Sequence, residues 1–312
     1  MAGGRAWTRL DARLLRRWPL PQVPDDADKE DRGRVLVIAG SREIPGAALL
    51  AAIAALRAGA GKLVVATAQS VAQPLALALP EARVIALPED EQGSFLPAAI
   101  DLVADSARLA AAVLAGPGLM DAAGTCRFVR ALLPLAAHAP LVLDALAMDI
   151  VRGGQCFEQP VLLTPHAGEM AHLSGRSKED VTADPEAAVL EAATRWNATV
   201  ALKGATTLMA TPDGGRWRHA AGHPGLATSG SGDVLAGVIA GLAAQQPVLE
   251  QACAWGVVLH SLAGAALGRR IGPLGYLARE LPAEIPALLR RLQRTTPAPR
   301  ETRGATPAGS RG

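Results

Sequence analysis

The chain has 312 residues, half of them hydrophobic and 19% charged, with a formal net charge of +2. That length buries one large core or two modest ones, and the apolar content excludes a disordered chain. So small a charge leaves no surplus of cations for a nucleic-acid backbone, and Gly and Pro without a period exclude a fibrous protein.

Aromatic residues make up only 3% of the chain, and much of the hydrophobic half is alanine, so the core has to form by close packing of small side chains. Cys126, Cys156 and Cys253 are far apart and include no CxxC pair, which suggests neither a disulfide framework nor a thiolate zinc site.

Residues 1–27 read as an irregular segment, with charges crowded from Asp25 to Arg34. The first twenty residues lack an uninterrupted apolar run, so no signal peptide is expected. Residues 34–39 then read as a buried strand and 46–59 as a helix. A strand at 62–67, a helix near Val71 and a strand at 82–87 follow. Further strands are expected at 111–115, 140–144, 161–164 and 199–203. Near-continuous apolar strands alternating with helices imply a mostly parallel sheet covered on both faces. The most apolar later stretch, 254–268, is shorter than the ~20 residues a membrane span needs and contains His260. No membrane span and a cytoplasmic location are therefore expected. Residues 28–294 read as one domain, and 295–312, rich in Thr, Pro, Arg, Gly and Ser, as a disordered tail.

In such sheets the ligand lies at the carboxyl ends of the strands. Those ends carry Gly40-Ser41, Gly116-Pro117-Gly118, Asp144, Thr164-Pro165-His166 and Lys203-Gly204. Any one of these could simply end a strand; together they point to a site. The strongest segment is the glycine-rich 225–233, which runs into an apolar, glycine-lined helix expected to pack tightly on the sheet. A helix N-terminus offers unpaired N–H donors and a partial positive charge to phosphate oxygens. Asp233 is either the cap of that helix or a base that takes a hydroxyl proton as the oxygen attacks phosphorus. The dinucleotide motif is excluded because Leu235 stands where its third glycine belongs. Walker, Gly-x-Ser-x-Gly and HExxH patterns are missing, and the six histidines form no metal-like cluster.

In order, Pro45-Gly46-Ala47-Ala48, Gly116-Pro117-Gly118-Leu119, Leu143-Asp144-Ala145, Leu163 to Glu169, Leu202 to Thr207 and the loop ending in Asp233 follow one pattern. Across about residues 28–292 the chain resembles the ADP-dependent NAD(P)H-hydrate dehydratases of the ribokinase-like superfamily. The resemblance implies an α/β fold, a ribokinase-like three-layer α/β/α sandwich with a mostly parallel central sheet. It implies that Asp233 is catalytic, with Gly230 and Gly232 as its anion hole. Lys203, Gly204, Ala205, Thr206 and Thr207, together with Gly232, would hold the adenine nucleotide. Ala47, Gly118 and His166, with Asp233, would contact the hydrated nicotinamide nucleotide. Glu169 would help organise magnesium and phosphates.

From the residues alone, Thr164-Pro165 also reads as a helix cap, which would make His166 an ordinary first-turn residue, and Glu169 suits a first turn electrostatically. Lys203 is one of four lysines among 31 basic residues, which leaves its role open. Leu146, His223, Ser229 and Glu30 depart from the common pattern and put substrate affinity in question more than chemistry.

The implied reaction uses ADP as co-substrate and Mg2+ as cofactor to restore NADH or NADPH from the S epimer of its hydrate. AMP and phosphate are released, in a cytoplasmic homotetramer that binds neither nucleic acid nor membrane. The epimerase domain often fused ahead of this one is not expected here, so a separate epimerase would act upstream. Two rivals are a small-molecule kinase of the same superfamily, acting on a vitamin precursor or sugar, and an idle nucleotide sensor. Lys203 to Thr207 and Thr164 to His166 favour the dehydratase over the first, and Asp233 argues against the second.

Overall fold

The computed structural model describes residues 6–22, 26, 28–220, 222–245 and 248–293. Its strands are β1 (Thr8–Arg9), β2 (Arg34–Ile38), β3 (Lys62–Ala68), β4 (Ala82–Leu87) and β5 (Ala112–Ala115), followed by β6 (Leu141–Leu143), β7 (Val161–Leu163), β8 (Thr199–Leu202), β9 (Thr207–Ala210) and β10 (Arg216–His219). The helices are α1 (Ala12–Arg17), α2 (Pro45–Arg57), α3 (Gln69–Ala78), α4 (Ile100–Arg108) and α5 (Ala122–Leu135). They continue with α6 (Ala167–Ser174), α7 (Lys178–Ala183), α8 (Pro185–Trp196), α9 (Ser231–Ala243), α10 (Leu249–Arg270) and α11 (Leu281–Gln293).

All ten strands form one sheet, in the order β1-β10-β9-β8-β7-β6-β5-β2-β3-β4. Only β9 runs against the rest, because it pairs antiparallel with both β8 and β10. Successive residues of one strand feed opposite layers. Val35 and Val37 of β2 join the core under α2, α9, α10 and α11, while Leu36 and Ile38 join the core under α4, α5 and α8. A strand buried on both faces has no polar side to display, which is why the central strands β2, β5, β6, β7 and β8 read as near-continuous apolar runs, whereas β1 and β10, at one edge of the sheet, do not. The strand order reverses between β2 and β5, the crevice where open α/β sheets take ligands.

Alanine and glycine do pack the core closely, but against another helix. A Cβ on Gly237 or Gly241 of α9 would overlap the backbone oxygen of Ala51 or Ala55 on α2. The glycine seam expected to face the sheet thus faces α2.

Two further expectations change. Residues 1–27 are not irregular throughout. β1 extends the sheet beside β10, and α1 buries Leu15 with its neighbours Leu10 and Leu20. The apolar stretch near 254–268 belongs to the 22-residue α10, long and apolar enough by composition to cross a membrane. Its most apolar window is 78% buried inside the protein, however, as suits a core helix. The predicted disordered tail, 295–312, lies outside the described residues. Cys126, Cys156 and Cys253 are all unpaired, as their spacing suggested.

Candidate active site

The expected phosphate loop ends in Gly230, which has a φ of +85° and is the N-cap residue of α9. Glycine reaches that left-handed conformation without strain. A Cβ on Gly230 would also press within 2.5 Å of Leu50 Cδ1 on α2, a side-chain tip that would have to turn aside. Ser231, Gly232 and Asp233 follow as the first turn; the Ser231 N–H donates to the Thr228 carbonyl at 3.2 Å, while the N–H groups of Gly232 and Asp233 have no partner within the helix.

Asp233 is not the cap that the residues alone allowed, because Gly230 holds the N-cap and Asp233 is the third residue of the helix. Its carboxyl is half-buried and pushed up to about 6, first by burial and then by Asp144, against the opposing pull of Lys203. A carboxyl titrating there can take a proton near neutral pH.

Beneath the loop, Ser231 Oγ lies 3.0 Å from Nε2 of His260 on α10, a buried imidazole that burial holds down to about 4. His260 was noticed in the sequence only as a polar residue in an apolar stretch.

Lys203, directly after β8, sends its ammonium into the same space. Nζ donates to Asp144 Oδ1 at 3.0 Å and lies 3.8 Å from Glu169 Oε2. It would also sit 3.4 Å from a Cβ placed on Gly232. Burial disfavours this charge, but Asp144, Glu169 and Asp233 outweigh it and raise the lysine above its ordinary value. Gly204 and Ala205 are exposed and Thr206 and Thr207 half-buried on the tight link from β8 to β9.

His166, not Thr164, caps the next helix. Its Nδ1 accepts from the N–H groups of Gly168 and Glu169 at 3.0 and 3.1 Å, while Glu169 Oε2 accepts from the His166 N–H at 2.8 Å. This capping box leaves Nδ1 without a proton and turns Nε2 outward, 3.6 Å from Glu169 Oε2. Thr164 is buried instead and donates to Asp144 Oδ1 at 2.6 Å.

At the strand-order reversal, Gly118, with a φ of +68°, abuts Ala47 near the start of α2. A Cβ on Gly118 would lie 2.7 Å from the Ala47 Cβ. These two expected substrate positions are thus neighbours, and Leu50, one turn along α2, links them to Gly230.

Among the departures, His223 serves its local turn, since Nδ1 accepts from Gly225 N–H at 3.3 Å and meets the Tyr276 hydroxyl at 3.2 Å. Glu30 pairs with Lys62 and Arg34. Leu146 packs against the core beneath α5.

No cluster of three or more His, Cys, Asp or Glu side chains among the described residues could hold a metal ion. Magnesium usually takes one or two carboxylates plus substrate phosphates and keeps several waters. Glu169, 3.8 Å from the Lys203 ammonium that reaches the Gly230–Gly232 loop, is a carboxylate that suits an ion carried on phosphates.

A family model described as NAD(P)H-hydrate dehydratase matches residues 35–287. The chain is 47% identical over 294 residues to the ADP-dependent (S)-NAD(P)H-hydrate dehydratase of Xanthomonas campestris, an alignment that covers 94% of this chain and 100% of that one. It is 38% identical to the bifunctional NAD(P)H-hydrate repair enzyme Nnr of Thermofilum pendens, with 88% of this chain aligned to 53% of that protein. This chain therefore spans about half the length of the bifunctional relative. Among solved structures, the ADP/ATP-dependent NAD(P)H-hydrate dehydratase of Bacillus subtilis, co-crystallised with ATP and Mg2+, superposes with a TM-score of 0.79 at 28% identity, covering 93% of this chain and all of that one.

Proposed function

Since the chain belongs to the NAD(P)H-hydrate dehydratase family, we propose that it is an ADP-dependent lyase that restores NADH and NADPH from the S epimers of their hydrates, releasing AMP and phosphate. The observation that carries the chemistry is Asp233, half-buried in the first turn of α9, beside Lys203 and behind the left-handed Gly230.

The hydrated ring carries a hydroxyl that leaves poorly as hydroxide. Asp233 takes the hydroxyl proton as that oxygen forms a bond to the β-phosphorus of ADP, and the bond from that phosphorus to AMP breaks. The ring nitrogen's electron pair then expels the phosphate, and loss of a proton from the adjacent carbon restores the double bond. Nucleotide cleavage thereby drives the dehydration. The N–H groups behind Gly230 and Gly232 would receive the charge that builds on the phosphoryl oxygens. Magnesium, when bound, would neutralise charge on the nucleotide's phosphates, and Glu169 is the carboxylate that would help hold it.

The segment from Lys203 to Thr207 would hold the nucleotide. Ala47, Gly118 and the outward Nε2 of His166 would meet the hydrated nicotinamide nucleotide, and an epimerase activity would supply the S form from the R form.

Purified protein incubated with NADH hydrate and ADP is expected to yield reduced-nicotinamide absorbance and phosphate in step, from the S epimer only, with no accumulating phosphorylated substrate. ADP is expected to outpace ATP at equal concentration, because the relative covered along its whole length is ADP-dependent. A stable phosphorylated product from hydroxymethylpyrimidine, hydroxyethylthiazole or ribose, with no activity on the hydrate, would make it a kinase instead.

A further inference from the structure

Asp144, Thr164 and Lys203 are each the first residue beyond a strand, and their strands β6, β7 and β8 are sheet neighbours. Parallel register sets Asp144 beside Thr164 at the carboxyl edge of the sheet, and Lys203, which lies opposite His166 two residues further along, reaches back to them. At the centre is a single oxygen. Asp144 Oδ1 accepts from Thr164 Oγ1 at 2.6 Å and from Lys203 Nζ at 3.0 Å, and the aspartate is only 3% exposed.

The backbone around Asp144 is held in an unusual way. Ala145 has a φ of +47°, a left-handed conformation that costs a non-glycine residue about 1 kcal/mol and persists only where surroundings dictate it. Gly116 must lack a side chain there, since a Cβ would overlap the Asp144 carbonyl. A lysine on four rotatable bonds is thus tied to a rigid carboxylate, with its ammonium next to Gly232.

We propose that Asp144 and Thr164 are positioning residues for turnover, fixing the Lys203 ammonium at the mouth of the Gly230–Gly232 loop so that it meets the transferring phosphoryl group and not the adenosine moiety. The proposal rests on Asp233 being the base. Lys203 faces Asp144 from the end of β6, Glu169 and His166 from α6, and Asp233 from α9, while His260 from α10 stays neutral under the loop. Removing the Asp144 charge removes one influence that raises Asp233, whereas removing Lys203 removes the one that lowers it. The two changes shift the acid limb of turnover in opposite directions.

The test measures kcat and the KM for ADP across roughly pH 5 to 9 in Asp144→Asn, Thr164→Val, Lys203→Met and Asp233→Asn. Asp144→Asn and Thr164→Val are expected to lower kcat about 10- to 100-fold while the KM for ADP changes less than about threefold. The acid limb should move to lower pH in Asp144→Asn, to higher pH in Lys203→Met, and not at all in Thr164→Val, which alters no charge. A raised KM with kcat retained in the first two variants would confine Lys203 to holding the bound nucleotide, with no part in the transfer, and overturn the proposal, as would wild-type kinetics in both. If Asp144→Asn does not fold, the kcat and KM split of Thr164→Val decides alone. Turnover retained by Asp233→Asn would instead sink the base assignment, leaving that split still readable.

Discussion

Asp233→Asn is expected to lower kcat by about 10²- to 10⁴-fold, the usual cost of losing a general base, while leaving adenine-nucleotide binding in place. It is also expected to raise the melting temperature at pH 8. The carboxyl titrates at about 6 in the fold and at 3.8 when unperturbed, with burial the first cause and Asp144 the second. A carboxyl whose folded value is raised favours the native state below the unfolded value and loses that advantage as pH rises through the folded one. At pH 8 the half-buried, ionised Asp233 therefore opposes folding by on the order of 1–3 kcal/mol, discounted for its partial exposure. Asparagine carries no such charge. The stabilisation should be present at pH 8 and gone by about pH 4, which separates loss of the base from loss of the fold. Near-normal turnover would reduce Asp233 to a first-turn carboxylate, and a lower melting temperature at pH 8 would show that its charge is favourably held.

Such a trade of stability for chemistry was only half legible in the sequence. The glycine-rich run before Asp233 marked a candidate anion site, and the apolar runs marked strands, because a parallel strand buried on both faces has to be apolar throughout. The grouping of Asp144, Thr164 and Lys203 was not legible. Each stood out singly as a strand end, but their contact depends on which strands are neighbours and in what register. His166 was hidden for another reason, since histidine is an unusual cap and the Thr164-Pro165 pair ahead of it reads as the more ordinary signal. The N-terminal segment misled because its order is tertiary. Trp18 stacks on Trp217, and its carbonyl accepts from Gln251 and Trp255, contacts made more than 190 residues away along the chain. Two-residue β1 and six-residue α1 have little periodicity of their own to display.

The seam between α2 and α9 gives the other large effect. Gly237→Ala is expected to destabilise the protein even though alanine is the better helix former by ~1 kcal/mol. The new methyl would overlap the backbone oxygen of Ala51, and a backbone oxygen in a packed helix cannot swing aside as a side-chain tip can. Overpacking of that kind costs about 1–3 kcal/mol or more, so the net sign is loss, read as a melting temperature several degrees lower. Gly241→Ala, against Ala55, should behave alike. Gly46→Ala is the counter-test, because that position in α2 has nothing within 4 Å of its added Cβ. Propensity alone then acts, and the variant should gain up to about 1 kcal/mol. The seam also reaches the site. Asp233 lies one helical turn before Gly237 on α9, and Ala47 lies one turn before Ala51 on α2. Forcing the helices apart by a fraction of an ångström would separate Asp233, the proposed base, from Ala47, a proposed substrate contact, so kcat/KM should fall about 10-fold or more in Gly237→Ala at temperatures where it remains folded. Unchanged stability in Gly237→Ala would mean the two helices part freely, and the close seam would then not be what sets Asp233 against Ala47.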